Sequence, residues 1–257
     1  VIAKDDQIVQ LTPDYQKNAK FSNLKGVGDM TLDIEGITVI GTTVYAVDGN
    51  TANVYLATIP HGISPSTDPI DITSENSAYG MQSLTGAASS TPATTLYLLL
   101  NGTPNDKIIK MSGNIPSSTS TSGLLVYGEW DAPDSYGQGI TIADGSLYYI
   151  SSEDGIKIFE INKTTGVATG SGVRAKQEWG DLWDSVSGAG TSPDGNILLN
   201  KRNDPWRLLE VETDGDFVQM IDQPQGINLI DYNGLSVDAT TTNETILWAS
   251  GNQVLKY

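Results

Sequence analysis

Five dipeptides recur in which an oxygen-bearing side chain precedes glycine and a short strand-like run. They are Glu35-Gly36, Thr85-Gly86, Gln138-Gly139, Ser187-Gly188 and Asn233-Gly234. Hard cations such as Ca²⁺ are held by several oxygen ligands of this kind. Brought together, the five would form a calcium site with Glu35 as its charged ligand and Asn233 and Gln138 beside it. The same small polar residues also suit turn capping or ordered water, so both readings stand.

A second constellation sets aromatic rings beside acids. It comprises Glu129-Trp130-Asp131 with Asp134 and Tyr136, then Glu178-Trp179-Gly180-Asp181 with Trp183 and Asp184. Tyr79, Asp222 and Tyr232 occupy equivalent stretches, and Asp48, Asp106, Asp154, Arg202 and Asp204 fall in turns expected on the same side. Flat rings stack on the C–H faces of a neutral sugar, while carboxylates accept its hydroxyl protons. Trp130, Asp131, Tyr136, Trp183, Asp184, Arg202 and Tyr232 are therefore the candidate ligand-binding rim. The competing reading makes Trp130, Trp179 and Trp183 wedges between sheets. Paired carboxylates would also serve glycoside hydrolysis, but no motif singles out a pair.

Composition narrows the chemistry. There is no Cys, hence no disulfide, thiolate metal site or Cys nucleophile. The one His, His61, lies in a Pro-His-Gly loop, and a Ser-His-Asp triad would depend on it. A net charge of −17 and a pI near 4.1 disfavour nucleic acid and anionic membrane surfaces. No apolar run of about 20 residues is present to span a membrane. Few Lys and Arg, with abundant Thr, Ser, Gly and Asn, read as an extracellular, cell-surface or periplasmic protein, or a salt-adapted one. Val rather than Met at position 1 reads as a processed mature form.

The elements that must carry these residues are short strands. From Gly137 to Gly166 the chain reads strand, turn, strand, turn, strand, with Asp144-Gly145, Asp154-Gly155 and Thr165-Gly166 as turn signals. The glycines of the five dipeptides are 50, 53, 49 and 46 residues apart. Strand-built periods of this length indicate a propeller or solenoid. From Gly234 through both termini to Gly36 is 59 residues, room for one more period and not two. The expectation is an all-β, five-bladed β-propeller of four-stranded antiparallel blades, one domain over residues 1–257. Blades start near 35, 85, 138, 187 and 233. The last unit has strands at Leu235–Val237, Thr245–Ala249 and Gln253–Tyr257 and lacks a fourth. Gln7–Leu11 is spare, so residues 1–11 are expected to complete the last blade and cover its edge. Thr12–Ile34 reads as a long solvated loop.

The pattern from Gly139 to Ile150, and Asn233–Val237 with Thr245–Trp248, resembles the blades of NHL and SMP-30/gluconolactonase-like propellers. In the lactonase family a Glu before Gly in the first blade and an Asn before Gly in a later one bind metal. The resemblance therefore implies that role for Glu35 and Asn233. The family has six blades where this chain reads as five, and its catalytic Asp has no matching position here. The reading carried forward is a secreted or cell-surface, non-catalytic binding or structural module with a carbohydrate or protein ligand. The alternatives are a metal-dependent hydrolase of the lactonase or esterase type and a glycosidase using rim carboxylates.

Overall fold

A computed structural model describes residues 2–4, 7–11, 17–21, 34–40, 43–48, 53–58, 70–71, 80–88, 94–102, 105–112, 126–153, 155–175, 186–192, 194–201, 207–222, 232–238 and 245–250. In chain order the strands are β1 (Ile2–Lys4), β2 (Gln7–Leu11), β3 (Lys17–Phe21), β4 (Ile34–Ile40), β5 (Thr43–Asp48), β6 (Asn53–Thr58) and β7 (Ile70–Asp71). They continue with β8 (Gly80–Ala88), β9 (Thr94–Asn101), β10 (Lys107–Ser112), β11 (Val126–Asp131), β12 (Gly137–Ala143), β13 (Ser146–Ser151), β14 (Lys157–Ile161) and β15 (Val173–Arg174). The last are β16 (Val186–Thr191), β17 (Ile197–Lys201), β18 (Arg207–Val211), β19 (Phe217–Asp222), β20 (Tyr232–Asp238) and β21 (Thr245–Ser250).

Four sheets are four-stranded antiparallel meanders in sequence order: β4–β7, β8–β11, β12–β15 and β16–β19. The fifth has the order β20-β21-β1-β2-β3, joining strands from both ends of the chain; it corrects the expectation of a four-stranded antiparallel sheet edged by Gln7–Leu11, since it has five strands and β3 stands outside β2. β1 runs parallel to β21, with Ile2 opposite Trp248 and Lys4 opposite Ser250. Gln7–Leu11 pairs with β1 and β3, and its Gln10 also faces Leu247. The expected partner of Gln7–Leu11, Gln253–Tyr257, lies outside the described residues. The long loop expected over Thr12–Ile34 is corrected in part. Its Lys17–Phe21 is a strand, because Ala19 and Phe21 find paired positions against Gln10 and Ile8.

Turn chemistry accounts for the connections. Asp144 (φ 43°) and Gly145 (φ 73°) both take positive φ, the requirement of the tight hairpin that the Asp-Gly pair signals. At Ser192–Gly195 the Gly amide donates to Ser192 O at 3.0 Å, and Gly195 sits at φ 86°.

The strands bury both faces. Leu96, Tyr97, Leu98, Leu99 and Leu100 are all buried, a continuous apolar run that only a sheet covered on both sides requires. Ile140, Leu147, Tyr149, Phe159 and Ile161 of the third sheet pack with Tyr97, Leu99 and Ile108 of the second. Tyr148, Ile150, Ile156 and Ile158 pack instead with Val186, Ala189, Ile197 and Leu199 of the fourth. The second-strand residues Tyr45, Tyr97, Tyr148 and Leu198 are buried.

The first strands approach closely. β4, β8, β12, β16 and β20 each lie beside the next, and β20 lies beside β4. At Gly139 an added Cβ would fall 2.5 Å from Ala189 N and 2.8 Å from Ala189 Cβ. Backbone cannot yield as a flexible side chain can. Gly139→Ala should therefore destabilise by about 1–3 kcal/mol. Gly170→Ala, with nothing within 4 Å and no positive φ, should be close to neutral. Chemical denaturation of the two variants makes the comparison.

Candidate ligand site at the strand bulges and the adjoining loops

Each of the five first strands carries one extra residue at the same step of its ladder. Register jumps between Ile34 and Gly36, Met81 and Ser83, Gly137 and Gly139, Val186 and Ala189, and Tyr232 and Gly234. The residues set at the bulges are Glu35, Gln82, Gln138, Ser187 with Gly188, and Asn233. A bulge bends its strand and re-aims a side chain, and bulges concentrate beside functional sites. Four of the five polar residues singled out in the sequence occupy this step.

Thr85 does not. It lies three residues further along β8, opposite Tyr97, in the register of Thr38 opposite Tyr45 and Thr141 opposite Tyr148. All three threonines are buried. Thr141 Oγ1 lies 2.9 Å from Thr191 Oγ1, tying the third sheet to the fourth. The Thr85-Gly86 dipeptide thus imitated the repeat marker, and the second unit's bulge is Gln82-Ser83, which has no glycine.

The Gln138 side chain is held by the loop that precedes it. Its Nε2 donates to Ser152 Oγ at 3.1 Å and Tyr136 O at 3.4 Å. A backbone carbonyl only accepts, so the amide NH₂ is the group that faces it.

The loop leading into β12 is held by a buried knot. Asp106, 1% exposed, comes from the β9–β10 turn. Its Oδ1 accepts Gly102 N at 3.1 Å, and its Oδ2 accepts Gly137 N at 2.7 Å and lies 3.2 Å from the Tyr149 hydroxyl. That hydroxyl also lies 2.7 Å from Asp134 Oδ1 and 3.2 Å from Asp134 O. It has one proton for three acceptors, and the shortest contact is to Asp134. Asp106 O accepts Ala132 N at 2.8 Å, and Tyr136 O accepts Ser152 N at 3.0 Å. Turns and loops of neighbouring sheets therefore meet on the side expected from sequence. Burial pushes the Asp106 carboxyl up; its two backbone donors and Tyr149 oppose this, and the nearby Asp134 charge adds to it. Burial, then Asp134 and Asp106, also holds the Tyr149 phenol well above its ordinary value.

Comparison with known proteins reaches the architecture. No family model matches the chain, and no curated protein matches it in sequence. A solved glutaminyl cyclase from Myxococcus xanthus superposes with TM-score 0.57 at 13% identity, over 96% of this chain and 97% of its own. A luciferin-regenerating enzyme gives 0.53 at 9% identity, over 98% and 88%. A nidogen/laminin complex gives 0.51 at 12%, over 90% and 81%. The fold is that of a β-propeller. Identities this low speak to fold alone, since one propeller scaffold hosts unrelated functions.

In a propeller the first strands surround the central channel. Glu35, Gln138 and Asn233 share one register step of the first strands β4, β12 and β20. The rim residues separate. Trp130 and Asp131 line an open cleft of about 610 Å³ with Glu129, Phe159 and Gly166, between the second and third blades. Trp130 pairs with Ile108 on β10, and an added Cβ on Gly166 would fall 1.9 Å from its ring. It is thus both a wedge between blades and a wall of the cleft. Tyr136, 52% exposed, sits instead on the loop over the Asp106 knot. Tyr232 immediately precedes the Asn233 bulge. Trp183, Asp184 and Arg202 lie outside the described residues. Reading the sequence alone missed Gln82, Tyr149 and the pairing of Asp106 with Asp134. Tyr149 carried no signal beyond that of an ordinary strand aromatic.

Two outcomes follow from the knot. Tyr149→Phe leaves two carboxylates without their shared donor and should cost about 1–3 kcal/mol in urea denaturation. With its pKa raised on folding, Asp106 binds a proton more tightly in the folded chain. Its contribution to stability therefore falls as pH rises from the ordinary carboxylate range through the raised value. The unfolding free energy of wild type minus that of Asp106→Asn should accordingly grow as pH drops from 7 toward about 4. A pH-independent offset between the two would contradict this.

Proposed function

We propose that the chain is one five-bladed propeller over residues 1–257, its last blade completed by residues 1–11. In this reading it is an extracellular or cell-surface binding module without catalysis, with a calcium ion at the channel mouth held by Glu35, Gln138 and Asn233. The observation that carries the proposal is the bulge at one common step of all five first strands, with a polar residue at each. The donor set fits a hard cation through side-chain oxygens, one of them a carboxylate. Among the described residues no cluster of three or more His, Cys, Asp or Glu offers a more highly charged site.

A neutral carbohydrate is the ligand class that best suits the Trp130 cleft, whose lining includes the indole, the Phe159 ring and the exposed Asp131, while Glu129 is ion-paired with Lys107. The close acidic pair, Asp106 and Asp134, is committed to one buried phenol, which argues against that pair as glycosidase carboxylates. The second reading, a metal-dependent lactonase or esterase, rests on Glu35 and Asn233 sharing the bulge register. It requires turnover of a lactone or ester that a chelator abolishes.

Calcium binding to the folded chain should raise the melting temperature with the logarithm of ion concentration. Glu35→Gln should weaken or remove that rise. An unchanged wild-type melt on adding chelator would sink the calcium site. For the cleft, the exposed Asp131→Ala should reduce capture on an immobilised glycan array and leave the melt within about 0.5 kcal/mol of wild type. Equal capture by both proteins would remove the cleft from the ligand site.

A further inference from the structure

The Tyr149 hydroxyl has one proton, and three acceptors surround it. Asp134 Oδ1 stands at 2.7 Å, Asp134 O at 3.2 Å and Asp106 Oδ2 at 3.2 Å. The proton belongs to the nearest, Asp134 Oδ1. The phenol oxygen and Asp106 Oδ2 then meet as two acceptors. At 3.2 Å no water fits between them, and the Gly137 backbone closes another side. A Cβ on Gly137 would fall 2.7 Å from Asp106 Oδ2 and 2.9 Å from the Tyr149 hydroxyl. What the contact lacks is one hydrogen. We infer that the Asp106–Tyr149–Asp134 knot is a one-proton switch: with a proton on Asp106 it locks the loop from Ala132 to Gly137, and without that proton the loop loosens.

The bound proton aligns the knot in one direction. Asp106 Oδ2–H donates to the Tyr149 oxygen, and Tyr149 donates to Asp134 Oδ1. Asp106 still accepts Gly102 N on Oδ1 and Gly137 N on Oδ2. Losing the proton leaves two carboxylates joined by one phenol. Asp134 Oδ2 is buried and accepts no hydrogen bond among the described residues, so no further donor offsets the second charge. The groups facing Asp106 are Tyr149 from β13, Asp134 from the loop before β12, and the Gly102 and Gly137 amides. Lys107, the next residue, turns its ammonium to Glu129. Burial first, and the Asp134 charge with it, favour the protonated acid.

The loop is where the switch acts. Ala132 N donates to Asp106 O, Gly137 N to Asp106 Oδ2, Tyr136 N to Asp134 Oδ1 and Ser152 N to Tyr136 O. This stretch carries the exposed Tyr136 and follows directly on Asp131 of the cleft. Falling pH fixes it and rising pH frees it. The inference depends on neither the calcium nor the carbohydrate reading.

The experiment is amide hydrogen exchange of the full chain by NMR, over pH about 4 to 8. Protection of the Tyr136, Gly137 and Ser152 amides, corrected for intrinsic exchange, should fall about tenfold per pH unit between the ordinary carboxylate range and the raised value, the slope of one released proton. The Gly195 amide, bonded to Ser192 O in a turn of the fourth sheet, should not follow. In Asp106→Asn the slope should vanish, whatever the baseline stability. In Asp134→Asn, which keeps the acceptor but not the charge, it should move to lower pH. Carbon-13 shifts of the two carboxyls should show one proton held by the pair above the ordinary carboxylate range. The switch is overturned by pH-independent protection in wild type, by Gly195 falling in step, by a slope that survives in Asp106→Asn, or by both carboxyls titrating in the ordinary range.

Discussion

A sheet has two faces, and in the third sheet both are apolar. Nothing in one four-stranded meander can cover its own faces, so a sheet apolar on both sides must press one face on its predecessor and the other on its successor. The third sheet is the clearest case: Tyr149 and Phe159 turn to the second sheet, Tyr148 and Ile150 to the fourth. The run from Leu96 to Leu100, buried at every position, follows from the same demand. So does Gly139, where the first strands of two sheets pass too closely for a Cβ.

Face-to-face packing leaves the first strand of each blade facing the centre with an edge rather than a face. An unmodified strand there would present backbone and little else. The bulge alters this by inserting one residue with no partner opposite, which frees a side chain from the in-and-out alternation. Polar residues at these steps thus do not violate the apolar pattern of the sheets. The same geometry separates Thr85 from Gln82: both are polar and both lie on β8, but one is in the alternation and the other is outside it.

The Asp106 knot is a different answer to close packing. Connecting loops must dive between sheets, and their amides need acceptors. One buried carboxylate satisfies Gly102 and Gly137 together, and Tyr149 spans from it to Asp134. Gly137 has no Cβ because one would fall 2.7 Å from Asp106 Oδ2 and from the Tyr149 ring. The cost is a desolvated acid. The gain is a loop fixed beside the bulge of Gln138, whose amide orientation it dictates.

Much of the architecture was legible in the residues. Turn dipeptides such as Asp144-Gly145 act through local φ preferences, so short-range reasoning suffices for them. The repeat period and the strand alternation are likewise written in neighbouring residues. Glu35, Gln138 and Asn233 were found because glycine followed each, and the strand carrying Gln82 was misaligned by three because serine did. The sequence by itself determined an all-β chain of repeated strands with polar residues near a common step. Only the tertiary structure decided which residue of β8 takes that step, since register is set by pairing with β9. It alone joined Asp106 to Tyr149 across 43 residues and brought β1 beside β21, because contacts between residues far apart in the chain leave no local pattern to read.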